Sequence, residues 1–109
     1  MARFEARTST EAGRVVVTLT GECDLAVRDE LEAALHAAVT SAQIVIVDLA
    51  ALTFLDSSGV HGLVTAHRTA RDRGGQLSVV NPSGVVAVVL EVTGVDALLS
   101  PTVDDPRRG

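Results

Sequence analysis

The sequence has no lysine, tryptophan or tyrosine, only one cysteine, and only two phenylalanines. Without an ammonium group at a fixed place, the Walker A phosphate loop, Schiff-base catalysis and the protein-kinase active site are all excluded. With Cys23 alone, no intrachain disulfide can form and a cysteine-rich zinc site is out of reach, which suits a reducing cytoplasm. The basic residues are all arginines, scattered along a chain of net charge −5, so the clustered positive face that a nucleic-acid partner requires is missing. No segment approaches the roughly 20 consecutive apolar residues of a membrane span, and "MARFEARTST" lacks the apolar centre of a signal peptide. These features read as a cytoplasmic chain with no membrane or nucleic-acid partner.

What the sequence does contain is aliphatic. Hydrophobic residues make up 47% of the 109 positions and charged ones 21%, so a single globular domain with a core of Val, Leu, Ile and Ala is expected, over residues 1–100. Residues 101–109 read as a flexible tail, with two prolines and no apolar periodicity. "RFEARTS" and "RVVVTLT" read as a hairpin closed near "TEAG". From Leu25 to Val39, Leu31, Ala34, Leu35 and Ala38 share one helical face, with Asp24 as N-cap. "IVIVDL" is a continuous apolar run, which predicts a central strand covered on both sides. Ser57 to Arg73 carries the helical stripe Val60, Leu63, Val64, His67 and stops at "RGG". "QLSVV" is a further strand and "ALLS" a weaker strand candidate. "VVAVVLEV" fits a strand by its valines, or a helix between Ser83 and Gly94 by its punctuation. Together these alternations predict an α/β layered domain with a partly parallel sheet and an antiparallel edge.

The stretch "FLDSSGV", Phe54 to Val60, concentrates the chemistry. An aspartate and two serines at the first turn of a helix have an ordinary role, since either kind of oxygen can satisfy the free amides there. A hydrolase nucleophile would need a base, and His61 stands four residues beyond Ser57. Against it, the Gly-x-Ser-x-Gly elbow is absent and so small a domain has little depth for a dry pocket. Asp56 as a phospho-acceptor would need a lysine for phosphate charge, which the chain lacks. A serine that receives phosphate from a kinase uses every residue present, because a helix N-terminus favours an anion.

The run from "IVIVDLAALTFLDSSG" to "VTGVD", with "LTGECDL" before the first helix, resembles the STAS domains of bacterial anti-sigma factor antagonists, over about Arg14 to Asp96. The resemblance implies a mixed sheet of four to five strands with an N-terminal hairpin and helices mainly on one face. It implies a non-enzyme without cofactor or metal, which binds a serine-kinase anti-sigma factor while unphosphorylated and so frees the sigma factor. Phosphorylation of Ser57 would abolish that binding until a phosphoserine phosphatase reverses it. Ser58 is the rival acceptor by position; only the register of the resemblance selects Ser57 and leaves Ser58 a capping or kinase-orienting role. The implied partner surface comprises Glu22, Asp24, Asp56, Ser58, Gly59 and Gly62. Gly59 and Gly62, with Ala66, form a small-residue stripe that either admits a partner's main chain or packs internally.

Three departures from the family pattern stand out. Cys23 replaces the usual leucine of the Gly-Glu-Leu-Asp turn, Ala87 and Val88 stand where basic or polar side chains are common, and the last helix is shortened or lost. The second departure predicts an exposed apolar strip used for a homodimer or an altered partner surface. Other readings on the same fold are a stressosome-like scaffold, a subunit of a transport complex, or a module binding a small molecule or nucleotide.

Overall fold

The computed structural model describes residues 3–101. Its first two strands, β1 (Glu5–Glu11) and β2 (Arg14–Cys23), pair antiparallel across a two-residue turn. Ala12 and Gly13 both have positive φ, 51° and 80°, the combination whose twist matches that of the flanking strands. The chain then makes a 3-10 turn (Leu25–Val27), helix α1 (Arg28–Ser41), strand β3 (Ile44–Leu55), helix α2 (Ser57–Asp72), strand β4 (Gln76–Val80), helix α3 (Gly84–Val92) and the short helix α4 (Asp96–Leu99). Sheet order is β1-β2-β3-β4, with β3 parallel to both neighbours, so the expected α/β layering with an antiparallel edge is what forms.

Register explains the core. Val15, Val45 and Leu77 lie side by side, as do Val17, Val47 and Val79, and all six are buried. The alternate positions Val16, Ile46 and Ser78 are only half-buried, because side chains along a strand point to opposite faces. The expectation that "IVIVDL" is covered on both sides is therefore corrected: one face is core and the other is partly open, with Ile44 itself exposed. Leu31 and Leu35 of α1, and Leu63 and Ala70 of α2, belong to the same core cluster. His67, also buried, donates through Nδ1 to the Leu77 carbonyl at 3.1 Å and so fastens α2 to β4, while its Nε2 is buried without a partner among the described residues. Gly74, with φ 83°, ends the helix where "RGG" predicts.

Two sequence expectations resolve differently and one open choice is settled. "ALLS" is not a strand: Asp96–Leu99 is one turn of helix after Gly94, with Leu99 fully buried, so the sheet has four strands and the last helix is short rather than lost. "VVAVVLEV" is helix α3, because burying Val86 and Leu90 on one side outweighs the strand preference of valine. Asp24 caps the 3-10 turn through Ala26 N, at 3.0 Å, and not α1, which starts at Arg28 with no side-chain cap. The predicted tail falls, from residue 102 on, outside the described residues.

The close approach of α2 to its surroundings makes a contrast. A Cβ on Gly59 would run into Leu55 Cδ1 and lie 3.0 Å from Cys23 Sγ, whereas one on Gly62 would meet only Leu31 Cδ2, at 3.1 Å. Alanine is the better helix former by about 1 kcal/mol. Gly62→Ala is therefore expected to be near neutral in urea unfolding, while Gly59→Ala is expected to cost about 1–3 kcal/mol through overpacking.

Candidate functional site

The site begins where β3 ends. Phe54 pairs with Glu22, and Leu55 with Cys23, after a register shift between Gly21 and Glu22. That shift puts Glu22 and Phe54 outward and Cys23 and Leu55 into the core. Two bonds clamp the loop to the strand: Thr53 Oγ1 donates to Gly21 O at 3.0 Å and Asp56 N donates to Cys23 O at 3.2 Å. Asp56 then adopts extended backbone angles, φ −103° and ψ −174°, and α2 starts at the next residue.

One carboxylate oxygen organises the turn. Asp56 Oδ1 accepts from Ser58 N at 3.0 Å, from Gly59 N at 3.2 Å and from the Ser58 hydroxyl at 2.6 Å. The two amides are orphan donors of a helix start, so the capping role anticipated for this stretch belongs to Asp56. Burial alone would raise the Asp56 carboxyl, but hydrogen bonds from the Ser58 hydroxyl and from the Gly59, Ser58 and Leu25 amides outweigh it and hold the group below the usual carboxylate range.

The same geometry separates the two serines. Ser58 is half-buried with its hydroxyl committed to Asp56. Ser57 is exposed and its hydroxyl makes no hydrogen bond among the described residues, including none to His61. His61 instead lines a groove of about 500 Å³ between α1 and α2, with His36, Asp29, Glu32 and Gly62 among the walls. The serine–histidine contact that a hydrolase reading needs is thus absent from this arrangement.

The ends of β2 and β3 and the loop after β2, which are tied to the start of α2, carry acidic and apolar side chains. Glu22 is exposed and Asp24 half-buried. Leu25 is 65% exposed and Phe54 41%, and neither was singled out as a site residue by sequence reasoning. The only signal for Phe54 would have been the strand's register shift, which no sequence period reveals; Leu25 is turned out because Asp24 caps a 3-10 turn instead of a helix. Gly59 and Gly62 are buried, their lack of side chains being used for Leu55, Cys23 and Leu31, so internal packing is the one of their two readings that this geometry supports. Cys23 is fully buried, and burial, followed by the Asp56 and Asp24 charges, pushes its thiol up to about 11. Such a thiol is a small hydrophobe rather than a reactive group. Among the described residues no three His, Cys, Asp or Glu side chains gather where they could hold a metal ion, and no helix is long and apolar enough to cross a membrane.

Asp56→Ala is expected to lower stability by about 1 kcal/mol at neutral pH. The folded carboxyl titrates below the 3.8 of the free group, so its contribution is complete above about pH 5 and fades as pH falls through the folded value. Urea unfolding of both proteins at several pH values should show the gap between them closing toward pH 2. Cys23 has the opposite sign: its contribution is present below about pH 9 and declines as pH rises toward 11, and thiol reagents at neutral pH should modify it only at the rate of unfolding.

A family model described as the STAS domain matches residues 3–106. Among solved structures, an anti-sigma factor antagonist from Mycobacterium paratuberculosis superposes with a TM-score of 0.82 at 26% identity, covering 94% of this chain and 90% of that one. The Bacillus cell fate determinant SpoIIAA in its phosphorylated form superposes at 0.68 with 22% identity, covering 97% and 96%. A sulfate transporter family protein from Wolinella succinogenes also superposes at 0.68, with 21% identity and 83% and 75% covered. No curated protein matches in sequence. The last two structures establish likeness of fold alone, while the family model spans nearly all of the sequence; the chain belongs to the STAS domain family.

Proposed function

We propose that this STAS domain is an anti-sigma factor antagonist whose partner is a serine-kinase anti-sigma factor, and that Ser57 is the residue phosphorylated. The observation that carries the reading is the division of labour between the serines: Ser58 Oγ is held by Asp56 at 2.6 Å, and Ser57 Oγ is exposed and uncommitted at the start of α2. An attacking hydroxyl must reach the γ-phosphorus of ATP held by the partner, and only an accessible one can. The partner takes up the hydroxyl proton, the phosphoryl group passes to Ser57 Oγ, and ADP leaves. Likeness to the Mycobacterium antagonist supports the same reading.

Electrostatics accounts for release. A phosphate adds roughly −1.5 to −2 charges at neutral pH. Here it would sit beside Asp56, Asp24 and Glu22 on a chain of net charge −5. The helix N-terminus tolerates that anion in the free protein, so nothing must refold. A docked partner that already holds nucleotide phosphates does not tolerate it, and about 3 kcal/mol of lost binding is more than a hundredfold in affinity. Glu22, Asp24, Leu25 and Phe54 form the surrounding contact surface, with the two apolar side chains as anchors and the acids as rim. A phosphoserine phosphatase closes the cycle. The scaffold and transport readings leave an exposed, uncommitted serine at the helix start without a role.

The test mixes the protein with serine-kinase anti-sigma factors and ATP, locating phosphate by mass spectrometry and measuring binding by calorimetry. Ser57→Ala is expected to bind without being modified, Ser57→Asp to bind at least tenfold more weakly, and Leu25→Ser with Phe54→Ser to weaken binding while circular dichroism stays unchanged. Phosphate found on Ser58 alone would overturn the site assignment.

A further inference from the structure

Arg3 and Phe4, just before β1, lie across the strand that leads into the acidic loop. The ladder between β1 and β2 ends at Glu5 with Thr20. The Arg3–Phe4 peptide runs on past it and covers Gly21: a Cβ there would collide with the Arg3 carbonyl and come within 3.0 Å of Phe4 N. Gly21 also has φ 86°, so two separate demands restrict the position to glycine. Phe4 anchors the crossing, being 4% exposed and part of the core cluster.

Gly21 is also where the loop takes its register. Its carbonyl accepts from Thr53 Oγ1 at 3.0 Å, and the shift in pairing with β3 falls between it and Glu22. Just beyond, Cys23 O accepts from Asp56 N, and Asp24 caps the turn that carries Leu25. Glycine has more backbone conformations open to it than any other residue, and one at a register shift can re-aim all that follows. The peptide lying against Gly21 closes off those alternatives.

We propose that Arg3 and Phe4 form a conformational strap. With Phe4 seated in the core, the strap fixes Gly21 and holds the Glu22–Leu25 loop at the start of α2; with Phe4 unseated, the loop is released while the sheet stays paired. The two states are separable because β1 is held to β2 by seven residue pairs of its own, and segments at the edge of a fold open at lower free energy than its central strands. Phe4 and Gly21, both buried, are then positioning residues that act through the loop. The effect on binding rests on the function proposed above, in which that loop contacts the kinase. A loop in place only part of the time weakens the contact by that fraction.

Hydrogen exchange followed by NMR on the full chain, with no partner present, tests the strap. The reporters are the amides of Ala26, Val27 and Asp56, which are bonded within or to the loop, against those of Val45 and Val47 in the central strand β3. Phe4→Ala is expected to speed exchange at the first three at least tenfold more than at the other two. Phe4→Leu should give a smaller change in the same pattern, and decides the matter if circular dichroism shows the alanine variant unfolded. Gly21→Ala, which displaces the strap with Phe4 intact, should loosen the same three amides. Equal acceleration at all five amides, or none, overturns the proposal. Calorimetry with a serine-kinase anti-sigma factor that binds wild type should show at least fivefold weaker binding by the loosened variants; unchanged affinity overturns the strap's control of the contact. A wild type that binds no such kinase overturns the proposed function and not the strap, which the exchange pattern decides.

Discussion

The hydrogen bonds converging on Asp56 Oδ1 are the constraint on which the rest of the site depends. One oxygen accepts from two amides and one hydroxyl, and by doing so it fixes the first turn of α2, immobilises Ser58 and leaves Ser57 as the hydroxyl that faces solvent. The backbone of the same residue is tied to Cys23, and the strand before it to Gly21, so the acidic loop is held in register with the helix start. A carboxylate that makes such bonds stays ionised, and an ionised cap is the stronger cap. Structure and charge state therefore reinforce each other.

Packing beneath that turn is what allows it to sit so close to the sheet. Gly59 and Gly62 face Leu55, Cys23 and Leu31 where no further carbon fits without displacement, and Cys23 fills the remaining space as an un-ionised thiol. The departure from leucine at position 23 thus reads as packing. The proposed site needs no deep pocket: the group it would offer is one exposed hydroxyl at the start of a helix, on a surface that also exposes Leu25, Phe54 and Glu22. The loop that carries Glu22, Asp24 and Leu25 is tied to the start of α2 through Asp56, while the exposed valines of α3 belong to a separate element.

How far the sequence could be read varies with the physics of each segment. "QLSVV" was legible to the residue, since a short β-branched run between glycine and Asn-Pro has few alternatives. "IVIVDL" was legible as a strand but not in its burial, because an uninterrupted apolar run hides which face the helices cover. "ALLS" was misread because a single helical turn is too short for periodicity to act, and what decides it is the burial of Leu99 among distant residues. At the site, "DSSG" announced a capped helix start, yet adjacent hydroxyls are equivalent in a string of letters. Leu25 and Phe54 escaped notice for a related reason: their exposure follows from a 3-10 turn and a register shift that are products of strand pairing.

By itself the sequence determined the alternation of strands and helices, the aliphatic core, the absence of lysine-dependent chemistry and the placing of a capping aspartate before two serines, because these follow from local propensity, residue type and spacing. Only the tertiary structure decided that α3 is helical, that one sheet face stays partly open, that the glycine stripe is internal and that Ser58 is bound while Ser57 is free. Those outcomes depend on which side chains meet across the sheet and around the loop, and contacts between residues far apart in the chain leave no period in the sequence to read.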